Sequence, residues 1–310
     1  MQLVPSAVVE GALSPPAIAK GARDSARSGS QEKQFQSFFP RPRQERIIMN
    51  REEEIRSAVF YALIVIATCI AFGAMFVVIH EYIHSTTAYL MGHMQSPLDI
   101  VWGNLVTLDG WDEGVSYSTM FAAGQGVDAA IIAVMPLILH TVVVIGGLWL
   151  LLSGALVRKK WLFHITFWLV IVNLMELVAY MPVRAFSLHG DIGNINHGLS
   201  LSPWLLFLVL TPLILLGLYY LYGRVLPRMY VIVDGGSHLV QYVILIFSAF
   251  YLFLFRGSIH NALSFSPGME WLTGLFGYAA FIVVLYFCRP GMPGVIEAEK
   301  KFTEGMNRGE

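Results

Sequence analysis

The sequence predicts an all-α, polytopic transmembrane helix bundle with about six spans. Three observations predict it. The 310-residue chain is 56% hydrophobic and only 13% charged, about half the charge a soluble domain carries. Its mean hydropathy is +0.62. Apolar runs recur along it, each near the ~20 residues needed to cross a bilayer. Too few charges remain to cover a water-soluble globule, which excludes a soluble enzyme and a disordered chain. A net charge of −1 offers no basic patch for nucleic acid. Cys69 and Cys288 both lie in apolar runs, so neither a disulfide framework nor a cysteine metal site is implied.

Residues 1–57 are rich in Pro, Ser, Gln and charge and read as a disordered cytoplasmic tail. Pro5, Pro15 and Pro16 interrupt its apolar start and no basic segment precedes it, so it does not read as a signal peptide. A short amphipathic helix is expected around Gln44–Arg56. The membrane domain covers 58–288, with apolar runs at roughly 58–92, 122–155, 161–181, 203–222, 237–255 and 271–288. A second cytoplasmic tail covers 289–310. Eighteen of the twenty Lys and Arg residues fall in the tails and alternate loops; only Arg184 and Arg256 fall on the other side. This asymmetry puts both termini in the cytoplasm, in a cell-membrane protein. The first outer loop, about 93–117, has no Lys or Arg but carries Asp99, Asp109, Asp112 and Glu113. Within it, Ile100–Leu108 has the pattern of an extended segment ending in an Asp109-Gly110 turn; an ordinary loop is the plainer reading.

His80-Glu81-Tyr82-Ile83-His84 is an HExxH pattern. On a helix, positions i and i+4 share a face, so both imidazoles can bind one Zn²⁺. Glu81 then lies beside the metal as the general base for a water. At this composition about 0.01 accidental matches are expected. Zinc hydrolases usually add a third protein ligand. His84 ends the first run on the outer side, and the outer loop after run three brings His189, Asp191 and His197 to that side.

An HExxH near the end of a first transmembrane helix, with a Gly-Asp element after a later helix, resembles the site-2 protease family of intramembrane zinc metalloproteases. That family takes an Asp in a Leu-Asp-Gly element as third ligand. Leu188-His189-Gly190-Asp191 matches it loosely, so the resemblance implies Asp191. Ala123-Gly124-Gln125-Gly126-Val127-Asp128 stands where the family shows Ala-Gly-Pro-x-x-Asn, with Gln for Pro and Asp for Asn. The family's Asn-Pro-x-Pro stretch is missing, although Asn173 and Pro182 are present. The resemblance covers roughly residues 58–200 and marks a divergent member.

Glu176, inside run three, rivals Asp191, since a carboxylate in a span is a functional candidate by default. His189 and His197 are further rivals. The expected function is zinc-dependent hydrolysis of membrane-protein or peptide substrates at or within the lipid bilayer. Glu81 is the base, and His80, His84 and Asp191 are the metal ligands. No nucleic-acid partner is expected, and the oligomeric state stays open. Two alternatives belong to other classes: a non-catalytic scaffold or transporter, and a di-iron oxygenase or desaturase. The latter needs about eight His ligands and HxxHH pairs, which the chain lacks. Asp128 reads as an N-terminal helix carboxylate. Arg184 reads equally as a substrate clamp and as a partner of Asp191. His93, His140, His164, His238 and His260 read as structural. Trp161, Trp204, Tyr219, Tyr220 and Trp271 form an aromatic belt. Counting ~36 Å along the helix from Arg56 to His80 puts the site near the outer interface.

Overall fold

A computed structural model of the chain describes residues 50–233, 237–256 and 270–308. The N-terminal tail through 49, and His260 with it, lie outside the described residues. The fold is all-α, and among the described residues five helical stretches are long and apolar enough to cross a membrane. A shorter apolar helix covers Trp271–Phe287, where the sixth run was expected. The chain is therefore a helical membrane protein.

Helix α1 runs Arg51–Leu90, 40 residues and so about 60 Å long. It starts seven residues before the expected start of the membrane domain at 58. The reason is local. Asn50 Oδ1 accepts from the Glu53 amide at 2.9 Å, while the Glu53 carboxylate accepts from the Asn50 amide. This capping box, with Glu52, Glu53 and Glu54 at the positive end of the helix, fixes the start. After a loop, α2 (Tyr117–Ala122) leads into α3 (Gly126–Leu152). Helix α4 (Lys160–Val178) continues as a π-turn over Ala179–Val183, which contains Pro182. Proline has no amide to donate, so the regular ladder fails there and the turn widens. Helix α5 (Gly190–Gly198) is short. Helix α6 (Pro203–Tyr220) passes through a π-turn into α7 (Leu226–Val233), so run four extends well past its expected end. Helices α8 (His238–Phe250, with a π-turn to Phe255), α9 (Glu270–Phe287) and α10 (Pro293–Arg308) complete the described order.

Helix α4 forms the centre. Phe163, Phe167, Trp168, Ile171 and Met175 are fully buried there. By contrast, α6 exposes Leu205, Leu208, Val209, Leu213 and Leu216, the surface expected against lipid rather than water. Ends that the charge pattern assigns to one side do meet. Ser237 Oγ and the Leu239 amide, at the start of α8, both donate to Glu54 Oε1 in the first turn of α1. Arg228 donates to the Leu151 and Leu152 carbonyls at the end of α3.

The 93–117 loop forms no strand. A single antiparallel bridge joins Val101 and Asp112, and the tight turn falls at 105–107, before the expected Asp109-Gly110 position. Asn104 explains the shift: its side chain accepts from the Val106 and Thr107 amides and its carbonyl accepts from Leu108.

Candidate metal centre

Helical periodicity puts His80 and His84 on one buried face of α1. Their Nε2 atoms lie 3.1 Å apart. The third group arrives from α5. Gly190, at φ +70°, turns the chain into that helix, and Asp191 follows in its first turn. Asp191 is buried, with Oδ2 3.2 Å from His80 Nε2 and Oδ1 3.2 Å from His84 Nε2. Oδ2 nevertheless has no hydrogen-bond partner. The three side chains bring their ligand atoms to a common centre.

These separations fit a small divalent cation. With zinc-to-ligand bonds of about 2.0–2.1 Å, the edge of a tetrahedron is about 3.3 Å. Two imidazoles and one carboxylate are a zinc donor set, and three protein ligands leave a fourth position open. Burial opposes ionisation of Asp191, whereas the His84 and His80 imidazoles, when protonated, draw its carboxyl far below the ordinary carboxylate range.

The ring nitrogens facing away from this centre are also engaged. His84 Nδ1 lies 2.9 Å from the Ile132 carbonyl, which only accepts, so Nδ1 carries the proton and Nε2 is free to bind a cation. His80 Nδ1 lies 3.1 Å from His140 Nε2, and His140 Nδ1 lies 2.8 Å from Asn173 Oδ1. Asn173 Nδ2 donates to the Leu169 carbonyl, which fixes the amide orientation. The chain of donors therefore runs from His80 through His140 to Asn173. Such outer partners set the tautomer and ring angle of a metal-binding histidine. Tyr180 stacks on the other side of His80, ring centres 5.8 Å apart.

Glu81, the expected base, is buried, and its carboxylate lies within 4.8 Å of a His84 ring nitrogen and of the Glu113 carboxylate. Glu113 is the residue that sequence reasoning missed altogether. His140 had been read as structural.

The rivals of Asp191 go elsewhere. Arg256 donates to Glu176 Oε1 at 2.9 Å. His189 is exposed at the start of α5, and His197 is exposed with its ring against Phe121. Arg184 lies over the Tyr180 ring, 5.6 Å from its centre. Asp128 sits in the first turn of α3 and pairs with His93 at 2.9 Å. His164 meets the Tyr61 hydroxyl and His238 meets Gln241, both away from the cluster. His140 lies 14 residues along the 27-residue α3, near mid-helix, and Ile132, whose carbonyl meets His84, lies nearer its start. No family model, curated protein or solved structure matches the chain.

Proposed function

We propose that the chain is a membrane-embedded zinc metalloendopeptidase, a divergent relative of the site-2 proteases, that cleaves membrane-protein substrates at or within the bilayer. One observation carries this reading: His80, His84 and Asp191 converge at 3.1–3.2 Å with Glu81 alongside. The chemistry of that set is hydrolytic. Zinc supplies a Lewis acid there, polarising a carbonyl and acidifying a water.

The protein's own groups do the rest. His80, His84 and Asp191 hold the ion. His140 and the Ile132 carbonyl keep the two imidazoles in the right tautomer. Glu81 takes the proton of the attacking water and passes it to the leaving amine as the carbon–nitrogen bond breaks. A substrate helix has no free backbone groups, so it must unwind before cleavage. The charge pattern supports a cell-membrane location with both termini cytoplasmic. Among the described residues, the groups spaced to hold a cation contain only His80 and His84 as histidines, which favours zinc hydrolysis over a di-iron oxygenase.

Metal analysis of the purified chain tests the reading. Wild type holds near one Zn²⁺ and His80→Ala loses it. Equal metal content in both overturns it.

A further inference from the structure

We propose that Glu81 and Glu113 form a second, inhibitory divalent-cation site beside His84. It rests on the metal centre proposed above. Glu113 comes from the loop between α1 and α2. The other three acids of that loop, Asp99, Asp109 and Asp112, are exposed, whereas Glu113 is only 8% exposed. Its carboxylate, that of Glu81 and a His84 ring nitrogen all lie within 4.8 Å of one another. Two carboxylates this close, both withdrawn from water, repel unless a proton or a cation lies with them. Paired carboxylates take zinc and harder divalent ions.

The placement of Glu113 is built into the loop. Val101 and Asp112 exchange two backbone hydrogen bonds, 2.8 and 3.2 Å long. Gly114, at φ +72°, donates its amide to Asp112 Oδ1, and a side chain there would strike the Asp99 carbonyl. At the loop tip Leu108 is buried with a left-handed backbone, φ +61°, and its methyl groups pack beside Gly73 of α1. A bulky residue adopts that conformation only when its surroundings hold it there. Both anchors flank Glu113 and fix it opposite Glu81.

The two sites compete for chemistry. His84 has one ring nitrogen committed to Ile132, so it serves one ion at a time. With His84 on the first ion, the second is held by Glu81 and Glu113. An ion there ties up Glu81 and removes the general base, which is worth roughly 10²–10⁴ in rate. Excess zinc therefore inhibits, and the loop carrying Glu113 sets how strongly.

Zinc titration of the full chain in detergent tests this, with bound metal measured by equilibrium dialysis and hydrolysis followed on casein. Wild type takes up one tight and one weaker equivalent. Hydrolysis falls roughly 10²-fold or more as the weaker one fills. Glu113→Gln keeps the tight equivalent and loses the weaker. If Glu113→Gln binds no zinc because it misfolds, Leu108→Ala decides: loosening the loop weakens the second equivalent and spares the first. Uptake that stops at one equivalent in wild type overturns the second site and leaves the metal centre standing. Two equivalents retained in both variants also overturn it. No uptake at all by wild type removes the metal centre itself, and the second site with it.

Discussion

Two buried ionic clusters share this bundle, and they are built on opposite principles. Glu176 and Arg256 form a finished pair. One donor meets one acceptor at 2.9 Å, the charges cancel, and Glu176 pushes the Arg256 guanidinium further up, so it stays charged. His80, His84 and Asp191 form an unfinished one. Two ring nitrogens and a carboxylate converge, a carboxylate oxygen has no hydrogen-bond partner, and the outward nitrogens are anchored elsewhere. The first cluster needs nothing more. The second has the spacing of a group that could hold a cation. By sequence alone Asp191 leads Glu176 through a loose family resemblance, and both are carboxylates beyond the HExxH helix. What separates them is whether an arginine reaches them.

The sharpest way to break the comparison is to remove chemistry and leave the architecture alone. Glu81→Gln should keep near one Zn²⁺ per chain while hydrolysis of casein falls roughly 10²–10⁴-fold. Retained hydrolysis would take Glu81 out of the base role. Next in size is the finished pair. Arg256→Ala strands a buried carboxylate and should cost about 3–5 kcal/mol in unfolding free energy. Arg256→Met combined with Glu176→Met should recover most of it, as thermal melts in detergent would register. At the unfinished cluster the order reverses: Asp191→Ala should lose the tight zinc equivalent with a smaller loss of metal-free stability. Equal destabilisation at both clusters would erase the distinction.

Smaller effects sharpen it. His140→Ala frees His80 Nδ1 and should weaken zinc affinity or activity about 10–100-fold, the usual cost of losing an outer partner. Competition against a chelator of known affinity measures it, and an unchanged affinity would return His140 to a packing role. Acid should separate the ligands. The Asp191 carboxyl is held below its ordinary value of about 3.9. Its stabilising contribution is therefore complete above about pH 4 and is lost only as pH falls through the lowered folded value. Imidazoles ordinarily protonate near 6.5, and metal binding requires them neutral. Zinc should leave between about pH 6 and 5 while circular dichroism stays helical. Loading that persists to pH 4 would argue against histidine ligation.

Much of this was legible in the chain. Membrane class follows from missing charge, and the two histidines follow from i, i+4 spacing. Asp191 was reachable because alternating topology returns the chain to the same side after run three. The early start of α1 was written in Asn50-x-x-Glu53 but masked by the charged residues that follow. His140 carried a signal too: an ionisable group in the middle of Ala133–Val144 is as unexpected in a span as Glu176, yet only Glu176 was weighed by that rule. Glu113 carried none. Nothing local separates it from exposed Asp112, its neighbour, because its burial depends on how Leu108 and Gly114 fold the loop back onto α1.

The short helix that carries Asp191 is held at its far end by an omission. Gly126 opens α3 and Gly198 closes α5, and the two backbones touch. A methyl group added at Gly126 would lie 2.7 Å from the Gly198 carbonyl, and one at Gly198 would strike Gly126. Two histidines on one helix have a spacing set by the helix itself. The spacing from them to Asp191 has no such ruler; it is set by how closely two chains can lie when neither has a side chain. The placement of Asp191 against the two histidines is thereby tied to a residue volume seven positions away along the chain. Gly198→Ala would detune the centre without touching any atom of it.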